Sequence, residues 1–216
     1  MYRSLIRPWA VILSASLAGG PGLSSSVPAA PVPTHLMPKE APTFFPAVVG
    51  TRWVYQDAAG DHTWVVSRVE KKDDTRLITV NATSSGDKTP RVLTFGRSQE
   101  EVFLVGGSPF FVQHAEVAYQ RPWLLLPTPH KVGDRWDANV IPEGGDRLTG
   151  TMRVVGVERM RVPAGTYTAT RVDWDYSFGL GPQNQGRVSY WYANGVGLIQ
   201  VGNPPVWRLK SFELGK

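Results

Sequence analysis

Val162-Pro163-Ala164-Gly165-Thr166-Tyr167-Thr168-Ala169-Thr170-Arg171-Val172-Asp173-Trp174-Asp175-Tyr176 is the stretch that decides the fold class. Pro163 presets φ for the first corner of a turn, and Gly165 permits a left-handed exit from it. After the turn the side chains alternate. Thr168, Thr170, Val172, Trp174 and Tyr176 fall on one face, and Arg171, Asp173 and Asp175 on the other. That is the two-residue period of an antiparallel strand with one face in the core and one in water.

The same unit of turn and strand recurs in both directions. Ala58 to Asp61, Lys71 to Asp74, Ser84 to Asp87, Gly106 to Pro109, Gly144 to Asp146 and Ala193 to Gly195 supply residues that tolerate tight or left-handed backbone. Asn194-Gly195 is the sharpest, because a two-residue hairpin loop requires positive φ at both central positions. Short β-type runs follow one another about every 8 to 14 residues, and no window holds a helical period. The expected class is all-β: a single domain of about 10 to 14 antiparallel strands, forming a strongly curved sheet, a half-barrel or a two-sheet stack. His62 to Glu70 and Arg187 to Tyr192 carry large apolar groups on both faces, so these strands are covered on both sides or line a cavity with one of them.

An internal echo accompanies the turns. Val49-Gly50-Thr51-Arg52-Trp53 returns as Val132-Gly133-Asp134-Arg135-Trp136, and Arg91 to Gly107 can be laid on Arg187 to Asn203. A duplication would give two pseudo-equivalent meanders; chance similarity between β-rich segments is the alternative.

The beginning of the chain is organised differently. Arg3 and Arg7 precede an apolar run from Trp9 to Ala18 and a small-residue stretch ending in Val27, Pro28 and Ala29, the order of a secretory signal peptide. Residues 1–29 are expected to be that leader, cut after Ala29 or Ala30. Residues 30–43 read as a proline-rich linker and 44–216 as the all-β domain. The expected location is exported, periplasmic or extracellular. The apolar run is about half the length needed to cross a bilayer, so the cleaved chain is not expected to span one. The 216 residues include no cysteine, which removes disulfides, thiolate metal sites and a lipid-modified cysteine together. Without the leader's two arginines, 21 Lys and Arg face 18 Asp and Glu, a net +3 scattered along the chain. Nucleic-acid binding needs a concentrated basic face and is not expected.

Chemistry-bearing patterns are sparse. The nucleophile elbow, the zinc helix and the phosphate loop are absent. Ser85 to Lys88 matches S-x-x-K but falls in a turn rather than at a helix start. His62 with Asp57 and Asp61 reads as a polar hairpin tip. Asp134, Asp137, Glu143 and Asp146 surround a loop without regular calcium-ligand spacing. No metal and no cofactor are expected. Asp173 and Asp175 would stand about 7 Å apart on one strand face. That separation admits a carboxylate-dependent hydrolase, but salt bridges to Arg171 or Arg187 account for the pair without catalysis. No catalytic residue is assigned.

Tryptophan is the stronger signal, with seven of eight beyond the leader. Trp53, Trp64, Trp136, Trp174, Trp191 and Tyr192 are the candidate ligand-binding residues. They serve as core, or they line a concavity suited to acyl chains or sugar rings.

Pro46, Val49-Gly50, Trp53 and Tyr55, then Val162 to Tyr167, then Tyr190-Trp191-Tyr192-Ala193-Asn194-Gly195-Val196-Gly197, resemble in that order the motifs of a broad set of uncharacterised exported bacterial β-sheet proteins. The match spans roughly residues 45–201. The resemblance implies a strongly curved antiparallel sheet, related in shape to the LolA-like lipoprotein-carrier fold that cups an acyl chain, although no helical segment is present to plug such a cup. The expectation is an exported, non-enzymatic β module binding an apolar or envelope-derived ligand in a concave aromatic face. The alternative is a structural or protein-interaction module of the cell envelope.

Overall fold

The structure is a computed structural model that describes residues 43–86, 89–107, 118–140, 147–178, 185–202, 204 and 206–216, all within the compact unit Pro33–Lys216. The leader and nearly all of the linker lie outside these residues. The described chain forms twelve strands and no helix: β1 (Arg52–Asp57), β2 (Gly60–Lys72), β3 (Thr75–Ser84), β4 (Arg91–Arg97), β5 (Glu101–Gly106), β6 (Ala118–Pro127), β7 (Arg135–Asp137), β8 (Leu148–Val162), β9 (Gly165–Phe178), β10 (Gln185–Ala193), β11 (Gly197–Val201) and β12 (Trp207–Glu213).

All twelve belong to one antiparallel sheet in the order β6-β5-β4-β3-β2-β1-β12-β11-β10-β9-β8-β7. The first six strands meander outward, the last six meander inward from the opposite margin, and β12 closes on β1. The sheet does not close between β6 and β7, yet it curls until they meet through side chains. Trp123 of β6 packs on Trp174 of β9 with ring centres 4.8 Å apart, and the Trp136 indole of β7 donates to the Leu124 carbonyl of β6 at 3.1 Å. Pro122, which has no amide donor, stands on the β6 margin, a position where proline costs no internal ladder bond.

The two meanders repeat one ladder. Gly50, at φ +82°, donates its amide to the Val66 carbonyl at 2.9 Å; Gly133, at φ +95°, donates to Val154 at the same distance. Val66 N donates back to Thr51 O and Val154 N to Asp134 O, both at 2.9 Å. The β2–β3 register shifts after Val66 and the β8–β9 register after Val154. Further on, the shifts opposite Thr94/Phe95 and Trp191/Tyr192 fall at corresponding places. Leu93 pairs with Val80 and Tyr190 with Val172, so the counterpart of Arg91 is Val188, not Arg187. The sequence echo is thus present but one residue out of register in β4 and β10. A one-residue slip exchanges the faces of a strand, so the echo as aligned in sequence matches residues on opposite faces of β4 and β10.

The inner face is filled with interlocking apolar side chains. Phe45 stacks between Trp53 and Phe95, and Trp64 meets Tyr55 edge-on at 5.0 Å. Two polar tips bind the halves across this core: the Trp53 indole donates to Val196 O at 2.7 Å, and the Tyr55 hydroxyl to Leu198 O at 3.0 Å. The Val162–Gly165 turn is tied to the same seam, its Ala164 amide donating to Leu209 O of β12 at 3.0 Å. At the β1–β2 turn, one carboxylate oxygen of Asp57 accepts from the amides of Ala59 and Gly60, and the other accepts from His62 Nε2 at 2.8 Å. Partial burial works to raise the Asp57 pKa, but these donors outweigh it and hold the carboxyl below its ordinary value.

Two outcomes follow from these contacts. Tyr55→Phe leaves the Leu198 carbonyl buried without its donor and should cost about 1–3 kcal/mol in urea unfolding; a loss within error would show that the phenol contributes packing alone. Because the folded Asp57 pKa is depressed, its contribution is complete above the unfolded value of about 4 and disappears as pH falls through the folded value. Asp57→Asn should therefore destabilise the protein at neutral pH, and the difference in thermal midpoint from wild type should narrow below about pH 4.

Candidate functional site

Five of the six candidate ligand residues, Trp53, Trp64, Trp174, Trp191 and Tyr192, are buried, and Trp136 is half-buried. They do not share one surface. Trp191 lies on the outer face with Arg171, its cross-strand partner, whose guanidinium sits 5.4 Å from the indole ring centre. The Trp191 N–H donates to Glu158 at 2.6 Å. The two-sided apolar run Arg187–Tyr192 is therefore covered on both faces from Ser189 onward, while Arg187 at its start is exposed.

The aspartates of β9 sit in ion pairs. Arg171 holds Asp173 with two hydrogen bonds at 2.8 and 3.1 Å, and the Ser189 hydroxyl donates to Asp173 at 2.8 Å. Asp173 is only 4% exposed, so this part of the face expected to be wet is in fact covered. Arg187 grips Asp175 through both nitrogen positions, holding its pKa below the ordinary carboxylate range, with Arg153 and Arg135 adding to the field. His62 stacks on Trp207 with ring centres 4.5 Å apart, while Asp61 pairs with Lys210. Asp134 accepts from the Lys131 amide. Glu143, Asp146 and Lys88 lie outside the described residues. Among the described residues no three His, Asp or Glu side chains converge as metal ligands.

The open site lies at one end of the inner face, and sequence reasoning missed it. Lys71 of β2, Arg76 of β3 and Arg97 of β4 stand directly opposite one another, and Arg97 is in turn opposite Val102 of β5. Arg76 alternates with the buried Ile78 and Val80, and Arg97 with Phe95 and Leu93. The pleat therefore directs all three cations to the inner face, where the apolar filling stops at Val102. Beyond Val102 a cavity of about 690 Å³ opens, lined also by Thr43, Phe44, Asp74, Ser98, Gln99, Glu100 and Thr128.

Its walls are tied down. Arg97 donates to Phe45 O at 3.2 Å, and Thr43 bonds with the β10–β11 turn through the Asn194 side chain and the Gly195 amide. Ser98 accepts from the amides of Glu100 and Glu101 at 3.1 Å. Thr128 donates its amide to Glu100 O and its hydroxyl to Gln99 O. The available signal was local: Arg76 and Arg97 occupy positions where the alternation set by their neighbours calls for apolar side chains.

No protein-family model and no curated relative matches the chain. Among solved structures it is similar to a proposed exported protein with a YmcC-like fold from Bacteroides fragilis NCTC 9343, at 15% identity and a TM-score of 0.56, over 80% of this chain and 100% of that one. It is also similar to a proposed lipoprotein from Parabacteroides distasonis ATCC 8503, at 17% identity and a TM-score of 0.50, over 81% and 100% of the two chains. At these identities the likeness is one of fold.

Proposed function

We propose that this chain is an exported, non-enzymatic β module that holds an envelope-derived ligand at the open end of its curved sheet. The observation that carries this reading is the cavity of about 690 Å³ where the aromatic interior gives way to charged and polar side chains. Most ligand sites are concave, largely preformed and furnished with a few convergent polar groups. The tethered Thr43, β4–β5 turn and Thr128 supply that preformation. Export is supported by Arg3, Arg7 and the apolar run that follows them, and by the kind of protein that shares the fold. An apolar portion of the ligand would lie against Phe44 and Val102. Occupying the deeper aromatic face would require Trp53, Trp64 and Trp174 to be displaced from the core they fill.

The alternative, a protein-interaction module of the envelope, draws on the unclosed sheet. Among the described residues β6 and β7 each have a strand neighbour on one side only, and such margins accept an added strand.

Native mass spectrometry of residues 30–216 purified from the exporting organism's envelope separates the two. The expected result is a mass excess lost on denaturation, with slowed hydrogen exchange at residues 97–102 and 128 only while the ligand is bound. A bare polypeptide mass together with a partner crosslinked along β6 would overturn the ligand reading in favour of the interaction module.

A further inference from the structure

The row Lys71–Arg76–Arg97 is anomalous for a sheet. Like charges placed directly opposite one another on adjacent strands repel, and here two such oppositions lie side by side. The outer face of the same hairpin sets opposite charges together, Arg68 with Glu70 at 2.8 Å. The three cations also face inward, at the rim of a recess, where field lines are focused between low-dielectric walls.

From this geometry, and resting on the reading of the mouth as the ligand site, we infer that the row binds a single phosphate monoester on the ligand. Three cationic side chains from three strands match the three terminal oxygens of such a group, whereas a carboxylate is served by one guanidinium fork. A phosphate of charge about −2 at neutral pH supplies the anion that offsets the row's self-repulsion. Asp74 and Glu100 line the same cavity and reduce its formal charge from +3 to +1. The recess is thereby suited to one phosphate and unsuited to a polyanionic chain, for which a broad cationic track is needed. The phosphate can come from a soluble ester or from a lipid headgroup; the chemistry recognised is the same.

The test uses residues 30–216 at low ionic strength with two probes. Calorimetric titration with glycerol 3-phosphate reports the soluble source. Co-sedimentation with vesicles of phosphatidylcholine alone, or of equimolar phosphatidylcholine and phosphatidic acid, reports the lipid source. Saturable binding to at least one phosphate probe is expected, weakening as salt is raised. Arg76→Gln and Lys71→Gln should each weaken binding at least tenfold, whereas Arg52→Gln, outside the mouth, should leave it unchanged. The thermal midpoints of the first two variants should hold or rise, because each removes a like-charge opposition; this guards against loss of binding through misfolding. Absence of binding to either probe, or binding unaltered in both mouth variants, overturns the phosphate assignment. Should an envelope ligand still protect residues 97–102 in that case, the mouth reading stands and only its phosphate chemistry fails. If no ligand protects that segment, the mouth reading itself fails.

Discussion

Everything in this molecule depends on the pairing of β1 with β12. It is the only ladder among the described residues that joins the two meanders, running from Arg52 opposite Glu213 to Gln56 opposite Arg208. Around it are gathered the polar contacts that cross the core, from Trp53 to Val196, from Tyr55 to Leu198 and from Ala164 to Leu209. Each gives a buried donor a carbonyl partner in an apolar interior, where leaving a polar group unpaired costs more than the bond itself contributes. The seam is held by packing and by hydrogen bonds in a chain that has no cysteine to crosslink it.

The repeated ladder explains why half of the sheet looks closed and half open. In both halves a glycine of positive φ leads the chain into the first strand and donates one bond to the second, which donates one back to the residue after the glycine, and the second strand then bulges. Exact repetition would pair β6 with β7 as β12 pairs with β1. What stands there instead is a three-residue strand, a proline on the facing margin, and one indole-to-carbonyl bond from Trp136 to Leu124. The departure from symmetry thus has identifiable residues behind it.

Much of the fold was legible because turn chemistry and alternation are local. Val162–Gly165 and Asn194-Gly195 mark hairpins in the sequence and are hairpins in the structure, although the second has a three-residue loop, residues 194–196, in which Gly195 and not Asn194 takes positive φ, and the count of described strands falls within the expected range. Faces were harder to assign. Trp191 and Tyr192, adjacent in β10, fall on opposite faces, and nothing within a strand says which side its neighbours will cover. The mouth was less legible still. Lys71, Arg76 and Arg97 come together only through register across three strands, and along the chain Lys71 and Lys72 are followed directly by Asp73 and Asp74. Asp173 shows the converse, an ion pair foreseen from Arg171 but buried where a solvated face was expected.

The position of the seam in the chain sets an order of events. Among the described strands β1 comes first in the chain and β12 last, so one flank of β1 stays without its partner until the strands between them have been synthesised. Contacts of such long sequence separation make folding slow, because loop-closure entropy must be met before they form. A nascent chain of this design can form local hairpins early but cannot join its two meanders before β12 has emerged, so the long-range seam is the last part of the sheet to form.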